Sequence, residues 1–465
     1  MVINMINKRI VNILIVMSLL FLTLIGYLTY FEFVLKDGIA QNPFNKRQWA
    51  YEEDTVRGSI YDRVGVTLAN SDDTVRIYPY GALYSHIIGY NSTIYGKSQL
   101  EFKYNNLLLG QDEFSQVFSV SSAKRAGHDL TLTIDHQLQS LASLRLGKRN
   151  GAVVALNPKT GEVLALVSKP DFDPNSEELT KKWTDLTESE QSPLLPRATS
   201  GLYAPGSTFK IITSTGAIEK GFDGETYTDY GKVTIGGKTF ENYKTKAFGK
   251  INMERGFEVS SNNVFCTLGA KLGSGELRSI SERFGFNKVF DFDISMSKSR
   301  FPQKDTDEAG AAALGIGQGE ILATPIQMAM VTSAVANNGI IMKPYLLQRA
   351  TNQSGFVVFE NKPQQLFKAL SPEVAGRISN MMVNTVKSGT GSGAAIRGLQ
   401  VAGKTGTAEN EQSIKQKGKE HTWFVAFAPA ENPQIAVAVM LEYSGGSGGE
   451  LCAPIARELI EKYFK

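Results

Sequence analysis

Cysteine and histidine are scarce in this chain of 465 residues, with two of the former, Cys266 and Cys452, and four of the latter, His86, His128, His136 and His421. Two cysteines make no disulfide framework. Their neighbours, Val264-Phe265 and Thr267-Leu268 around the first and Ala453-Pro454 beside the second, mark both as small buried hydrophobes. No histidine pair has metal-ligand spacing such as H-E-x-x-H, so no metal cofactor is expected and a Ser-His-Asp mechanism has no support. His421, two residues before Trp423 on an expected strand, is read as a strand-edge residue that packs or hydrogen-bonds. Charge of one sign is also missing. The formal net charge is +3, and no Lys/Arg-rich arm or helix offers a surface for nucleic acid.

What the chain does have is one long apolar run. From Ile10 to Val34 only Asn12, a few hydroxyl residues and Glu32 interrupt it, which exceeds the roughly 20 residues that cross a bilayer as a helix. Lys8 and Arg9 precede it, so the positive-inside rule places the N-terminus in the cytoplasm and the rest outside. A cleaved signal peptide fits less well, because the run outlasts an ordinary apolar core and leads into Tyr30-Phe31-Glu32-Phe33 without a small-x-small site. The expected organisation is a cytoplasmic N-terminus over 1–9, an anchor over 10–34, a pedestal over 35–150 and a catalytic domain over 151–465.

The pedestal holds strand-like Asp129 to Asp135 and helix-like Gln137 to Leu146 but no catalytic constellation. Beyond Gly151 two apolar strands, Ala152 to Leu156 and Val163 to Val167, precede a long helical region. Strands Trp423 to Ala428 and Gln434 to Leu441 close the sequence. Strands at both ends with helices between them predict an α+β fold with an antiparallel sheet.

Three short motifs stand in order in that region: Ser207-Thr208-Phe209-Lys210, Ser260-Ser261-Asn262 and Lys404-Thr405-Gly406-Thr407. Context separates them from accidental copies. Ser207 follows Pro205-Gly206 and leads into apolar Ile211 to Ala217, the start of a buried helix on which residues i and i+3 share a face about 5–6 Å apart. Lys210 is therefore within reach of the Ser207 hydroxyl, and burial with the positive end of the helix would lower its pKa enough to make it a base. The other S-x-x-K copies, Ser121 to Lys124 and Ser295 to Lys298, lie in turn-like surroundings. Lys159-Thr160-Gly161 joins two apolar runs and reads as a hairpin turn. Lys404 continues strand-like Leu399 to Gly403. Alternation points Lys404 the same way as Gly406, whose missing side chain would leave room for a ligand along the strand.

The ordered set S-x-x-K, S-x-N, K-T-G resembles that of penicillin-binding proteins and their β-lactamase relatives. Leu202-Tyr203-Ala204-Pro205-Gly206 before Ser207, Gly317-Gln318-Gly319-Glu320 with Thr324-Pro325, Ala408-Glu409 after Thr407, and His421-Thr422-Trp423-Phe424 sharpen the match to the transpeptidase domain of class B enzymes. Arg57-Gly58-Ser59-Ile60-Tyr61-Asp62-Arg63 resembles the segment that opens the extracytoplasmic part of that family, and Asn157 to Ala165 is similar to the short penicillin-binding protein A group. The second motif could also be read as Ser261-Asn262-Asn263, and Leu451 and Cys452 stand where relatives tend to carry alanines.

The resemblance implies a serine penicillin-recognising fold, a five-stranded antiparallel sheet covered by helices, and a peptidoglycan D,D-transpeptidase that β-lactams acylate. It implies that Ser207 attacks the D-Ala-D-Ala amide of a stem peptide, Lys210 takes the hydroxyl proton, and Ser260 relays a proton to the departing D-alanine. Asn262 would hold a substrate amide, and Lys404 with Thr405 or Thr407 of the Lys404 to Thr407 strand would bind the terminal carboxylate. The N–H groups of Ser207 and Thr407 would form an oxyanion hole, worth about 2.7–4 kcal/mol per donor. No cofactor is implied. A glycan polymerase of the SEDS family is the implied partner. Two other readings stay open: a D,D-carboxypeptidase or β-lactamase, for which Glu188-Ser189-Glu190 would have to serve deacylation, and a β-lactam sensor or scaffold that needs no turnover.

Overall fold

The structure, a computed structural model, describes residues 2–35, 52, 54–73, 75–111, 125–409 and 419–465. Its first helix, α1 (Val2–Tyr30), runs into one π-helical turn, Phe31–Leu35. Lys8–Leu35 is long and apolar enough to cross a membrane, and none of its most apolar stretch is buried. A helix apolar on every side is stable only where something apolar covers it, so this element is a candidate membrane anchor in the expected place.

Short strands follow: β1 (Ile60–Tyr61), β2 (Thr67–Asp72), β3 (Val75–Ile77) and β4 (Asp129–Leu132). Helix α2 (His136–Leu146) starts where the Asp135 carboxylate accepts from the N–H groups of Gln137 and Leu138, the usual task of an N-cap aspartate. The catalytic region then opens with β5 (Gly151–Leu156) and β6 (Val163–Lys169), an antiparallel hairpin turned at Lys159-Thr160-Gly161 as expected.

Helix α3 (Lys210–Glu219) is followed by a lobe of two nested pairs. In it β7 (Thr226–Asp229) pairs with β10 (Gly249–Asn252), and β8 (Lys232–Ile235) pairs with β9 (Lys238–Glu241). Next come α4 (Asn262–Arg283), α5 (Pro325–Ala336), β11 (Leu347–Thr351), β12 (Val357–Glu360) and α6 (Pro372–Lys387). Strands β13 (Ala402–Ala408), β14 (His421–Ala428) and β15 (Ile435–Leu441) and helix α7 (Ala453–Tyr463) complete the chain. Strand β13 is shorter than the apolar pattern from Leu399 suggested, because Leu399 bridges back to Ile396 instead.

The central sheet has the order β6-β5-β15-β14-β13, antiparallel throughout, which is the expected five-stranded arrangement. Both faces are covered. Val153, Ala155, Phe424, Ala426, Val437 and Val439 pack with Leu138, Ala142 and Leu146 of α2 and with Ile455, Leu459 and Ile460 of α7. The alternate residues Val154, Trp423, Val425, Ala438 and Met440 join the core that contains α5. Every residue of α5 is buried, as a helix apolar all round must be inside a domain. Double coverage explains why these strands read as continuous apolar runs. A fully buried Val or Leu contributes about 1.5–3 kcal/mol, so this sandwich is the rigid frame of the molecule. Strand β13 lies at its edge.

A second sheet, of order β12-β11-β4-β1-β2-β3, crosses the expected boundary at 150/151. The hairpin β11–β12 comes from the catalytic region yet pairs through β11 with β4 of the pedestal, so this second sheet is built from both parts. The pedestal is also held by an ion cluster. Glu101 is fully buried and accepts from Nε of Arg57 and Nε of Arg76 at 2.7 Å each, with Tyr78 Oη donating at 3.2 Å. Arg57 and Gly58 open the segment whose resemblance was noted, and their reason is now visible. A Cβ on Gly58 would lie 1.9 Å from the carbonyl oxygen of His128. Burial alone would raise the Glu101 carboxyl, but Arg57 and Arg76 outweigh it and hold the group below the usual carboxylate range.

Glu101→Ala leaves Arg76 buried without a counter-charge and Arg57 with only Glu52, at 3.6 Å, so it should cost about 3–5 kcal/mol. Since the folded carboxyl is depressed, the cluster's stabilisation should be complete above pH 4.5 and be lost as pH falls through the lower folded value. Urea unfolding across that pH range checks both. A loss under about 1 kcal/mol would mean the arginines find other partners.

Candidate active site

Ser207 sits where a tight turn enters α3. The turn Gly206–Phe209 is 3₁₀-helical, and the α-helix begins only at Lys210. The expected α-helical start is therefore one turn late. With three residues per turn a 3₁₀ segment still places i and i+3 on one side. The turn is pressed against β13 and against the Gly317 segment. Gly206 has φ +52°, and a Cβ there would stand 2.5 Å from the carbonyl oxygen of Thr407. Its N–H donates to Gly317 O at 3.0 Å. Gly317, at φ +72°, could carry no Cβ either, because 2.1 Å would separate it from Gly206 O. Ala204 O accepts from Nε1 of Trp423 at 3.0 Å, which ties the turn to the sheet.

Gly406 proves to serve this packing. A Cβ on it would meet the Thr208 methyl and Trp423 Cβ, each at 2.9 Å, and Pro205 O at 3.1 Å. The missing side chain makes room for the Ser207 turn, not for a ligand as the strand alternation suggested. Lys404 shares that face, and Thr405 and Thr407 share the other. Thr405 Oγ1 lies 2.7 Å from Thr390 Oγ1.

Lys210 is completely buried. Its Nζ donates to Ser260 O at 2.8 Å, Asn262 Oδ1 at 2.9 Å and Ser261 O at 3.2 Å, and lies 3.4 Å from Ser260 Oγ. Lys404, equally buried, donates from Nζ to Ser260 Oγ at 2.9 Å and to Thr405 O at 3.1 Å. The Ser260 hydroxyl thus stands between two lysines. Burial pulls Lys210 down to about 7 against the opposing pull of Asp229. Burial, then the neighbouring Lys210, hold Lys404 well below the ordinary lysine range.

The loop carrying the second motif is held in an uncommon shape. Ser260 has φ +59°, a region non-glycine residues rarely occupy. Ser261 points away from the lysines: its hydroxyl donates to Asp229 Oδ2 at 2.5 Å and accepts from Val264 N at 3.2 Å as the N-cap of α4. Ser260 and Asn262, and not Ser261 and Asn263, therefore face Lys210. Two residues absent from the sequence reading support this loop. Asn242 Oδ1 accepts from the N–H of Asn262 at 2.7 Å and of Asn263 at 3.2 Å, while its Nδ2 donates to both oxygens of Asp229. No local motif marks them. Asp229-Tyr230-Gly231 reads as a turn, and Asn242 precedes Asn262 by 20 residues, beyond the reach of a short motif.

The remaining sequence candidates lie elsewhere. Ser295 is in a loop whose N–H donates to Gln99 of the pedestal, and Lys159 reaches Asn432 in the hairpin. Ser121 and Lys124 lie outside the described residues. Glu188 and Glu190 are exposed at the end of a surface helix. His421 packs against Tyr203 at 5.3 Å between ring centres and accepts from Tyr443 N, as expected. Its strand, however, is interior to the sheet. Cys266 and Cys452 are both free and buried.

Comparison with known proteins places this geometry. Residues 151–461 match the penicillin-binding protein transpeptidase domain, and residues 57–129 match the penicillin-binding protein A dimerisation domain. The peptidoglycan D,D-transpeptidase PbpA of Mycolicibacterium smegmatis is 32% identical over 98% of this chain and 98% of its own. A ceftriaxone acyl-enzyme complex of penicillin-binding protein A from M. tuberculosis superposes with TM-score 0.83 at 32% identity, covering 89% of this chain and 99% of that one. The D,D-transpeptidase domain of an Eggerthella lenta peptidoglycan glycosyltransferase gives TM-score 0.79 at 34% identity, over 88% of this chain and 98% of that one. With a turn-borne serine, two buried lysines on one hydroxyl and these relatives along nearly its whole length, the chain belongs to the penicillin-binding protein transpeptidase family, in its penicillin-binding protein A-like branch.

Proposed function

We propose that this chain is a membrane-anchored peptidoglycan D,D-transpeptidase that works through an acyl-enzyme on Ser207. The observation that carries the reading is the pair Lys210 and Lys404 buried on either side of Ser260 Oγ, beneath the turn that presents Ser207. A serine hydroxyl needs a neighbouring base, and a lysine brought down to about 7 is one at neutral pH. In this reading Ser207 Oγ attacks the carbonyl of the D-Ala-D-Ala amide and its proton passes to Lys210.

The oxyanion would be met by the N–H groups of Ser207 and Thr407. Thr407 O faces Gly206, and a strand residue turns its N–H and C=O to the same side, which supports an N–H on the free edge of β13. The hydroxyl of Ser260 can accept from one lysine while donating elsewhere, so it can hand a proton to the departing D-alanine amine and be resupplied by Lys210 or Lys404. Asn262 would hold a backbone amide of the stem peptide. Lys404 with Thr405 or Thr407 would bind its terminal carboxylate. An acceptor amine then attacks the Ser207 ester, the cross-link forms, and Ser207 regains its proton. β-Lactams would enter the same path and stop at the ester.

The positive-inside rule supports an extracytoplasmic catalytic domain. A SEDS-family glycan polymerase would meet the anchor and the segment around Arg57 to Arg63. Replacing Ile10 to Val34 by an unrelated spanning helix should leave penicillin labelling of Ser207 intact and reduce co-purification with that polymerase. If co-purification survives this swap, docking belongs to the part of the chain beyond the anchor.

Ser207→Ala should abolish covalent labelling by penicillin, and Ser295→Ala should leave it unchanged. With a donor stem peptide and an acceptor amine, the wild type should yield the cross-linked product. Free D-alanine with only the hydrolysed stem would instead identify a carboxypeptidase.

The acylation rate should rise with pH through about 7, as Lys210 loses its proton. Lys210→Arg should be nearly as slow as Lys210→Ala and lack that rise, since an arginine stays protonated. A rate for Lys210→Arg within about tenfold of wild type would reduce Lys210 to an electrostatic partner.

A further inference from the structure

Asp229 and Asn242 belong to the β7–β10 lobe, which carries none of the three motifs. Both are buried, and each makes hydrogen bonds to the second motif, Asp229 to Ser261 Oγ and Asn242 to the N–H groups of Asn262 and Asn263. Asp229 accepts from Gly231 N, Asn242 Nδ2 and Ser261 Oγ, so its partners are neutral donors, and it forms no ion pair among the described residues. Asn242 adds a third bond, from Nδ2 to Lys246 O at 2.8 Å. With these contacts Asn242 caps the first two N–H groups of α4 while Ser261 caps the next. Three of the unsatisfied donors of that helix start are therefore filled from the lobe and the loop together. Asn262 Nδ2 is drawn the same way, to Glu241 O at 2.7 Å, which turns its Oδ1 to Lys210.

We propose that Asp229 and Asn242 are positioning residues of the active site, holding Ser260 and Asn262 against Lys210. The inference rests on Lys210 being the base. Three of the four acceptors around Lys210 Nζ are backbone or amide oxygens of residues 260–262, and that loop contains a serine at φ +59°. A backbone in this region persists only where its surroundings over-determine it. The Asp229–Asn242 pair supplies that constraint from outside the loop. Asp229 also has an electrostatic effect. The titratable groups bearing on Lys210 are Cys266 of α4, Asp229 of β7 and Lys404 of β13. Burial pushes the Cys266 thiol up to about 12, so it is neutral throughout. Asp229 is therefore the one negative charge among them, and it supports the charged form of Lys210.

The test uses the full chain in detergent and reads the penicillin acylation rate against pH. Asp229→Asn should lower the rate roughly 10- to 100-fold, as expected when a buried network loses its acceptor. It should also shift the rising limb to lower pH, since burial then acts on Lys210 unopposed. Asn242→Asp sets two carboxylates face to face and should slow acylation at least as much. The exchange Asp229→Asn with Asn242→Asp puts one amide opposite one carboxylate again and should recover about tenfold or more over Asn242→Asp alone. An unmoved limb in Asp229→Asn, with no recovery in the exchange, overturns the proposal and leaves the pair a folding role only. Where Asp229→Asn does not fold, Asn242→Ser replaces it, and a wild-type acylation rate there overturns the proposal too. A wild-type profile without a limb governed by Lys210 is a different result, which removes the base assignment itself.

Discussion

Two ammonium-bearing side chains, Lys210 and Lys404, are entirely buried and meet at one hydroxyl, Ser260 Oγ. That is an expensive arrangement. A buried charge must be paired, hydrogen-bonded or neutralised, and here no carboxylate touches either lysine among the described residues. The cost is met by oxygen acceptors around each Nζ and by burial, which lowers Lys210 to about 7 and Lys404 well below the ordinary lysine range. The burial that would be a defect in a structural core is what makes a lysine usable as a base.

The rest of the fold serves that burial. The five-stranded sheet is covered on both faces and ends at β13, which brings Lys404 to the edge where α3 begins. Close approach needs glycine at the contacts. Gly206, Gly317 and Gly406 each stand where a Cβ would overlap a neighbour at 2.1 to 2.9 Å, and together they let the Ser207 turn nest between β13 and the 317 segment. The outer lobe closes the third side through Asn242, Asp229 and the Glu241 carbonyl. The pedestal lends the catalytic region an edge on which β11 pairs with β4, so these two parts share one sheet.

Much of this was legible beforehand where chemistry is local. The apolar 10–34 segment, the hairpin through Lys159 to Gly161, the buried cysteines and the apolar strands at both ends of the catalytic region all follow from runs of neighbouring residues. The three motifs were legible through resemblance and context, and the structure brings Ser207's turn, Lys210, Ser260, Asn262 and Lys404 to one place. Misreadings occurred where contacts, and not alternation along one strand, decide the outcome. Gly406 was taken as space for a ligand, because one strand read alone cannot show that Thr208 and Pro205 lie against it. Leu399 was counted into the strand because its alternation is apolar, whereas a turn to Ile396 claims it.

By itself the sequence determined which residue types were available: a serine three places before a lysine at the mouth of an apolar helix, a second lysine on a strand, and a long apolar segment ahead of both. Hydrophobic periodicity and short-range spacing carry that information, and they act over a few residues. Only the tertiary structure decided which lysines are buried, which serine of the second motif faces them, and that Asp229 and Asn242 hold it there. Burial and hydrogen-bond satisfaction are properties of surfaces brought together from separate segments of the chain. Asn242 and Asn262 become neighbours only when the lobe has folded against α4, and no spacing rule records that contact.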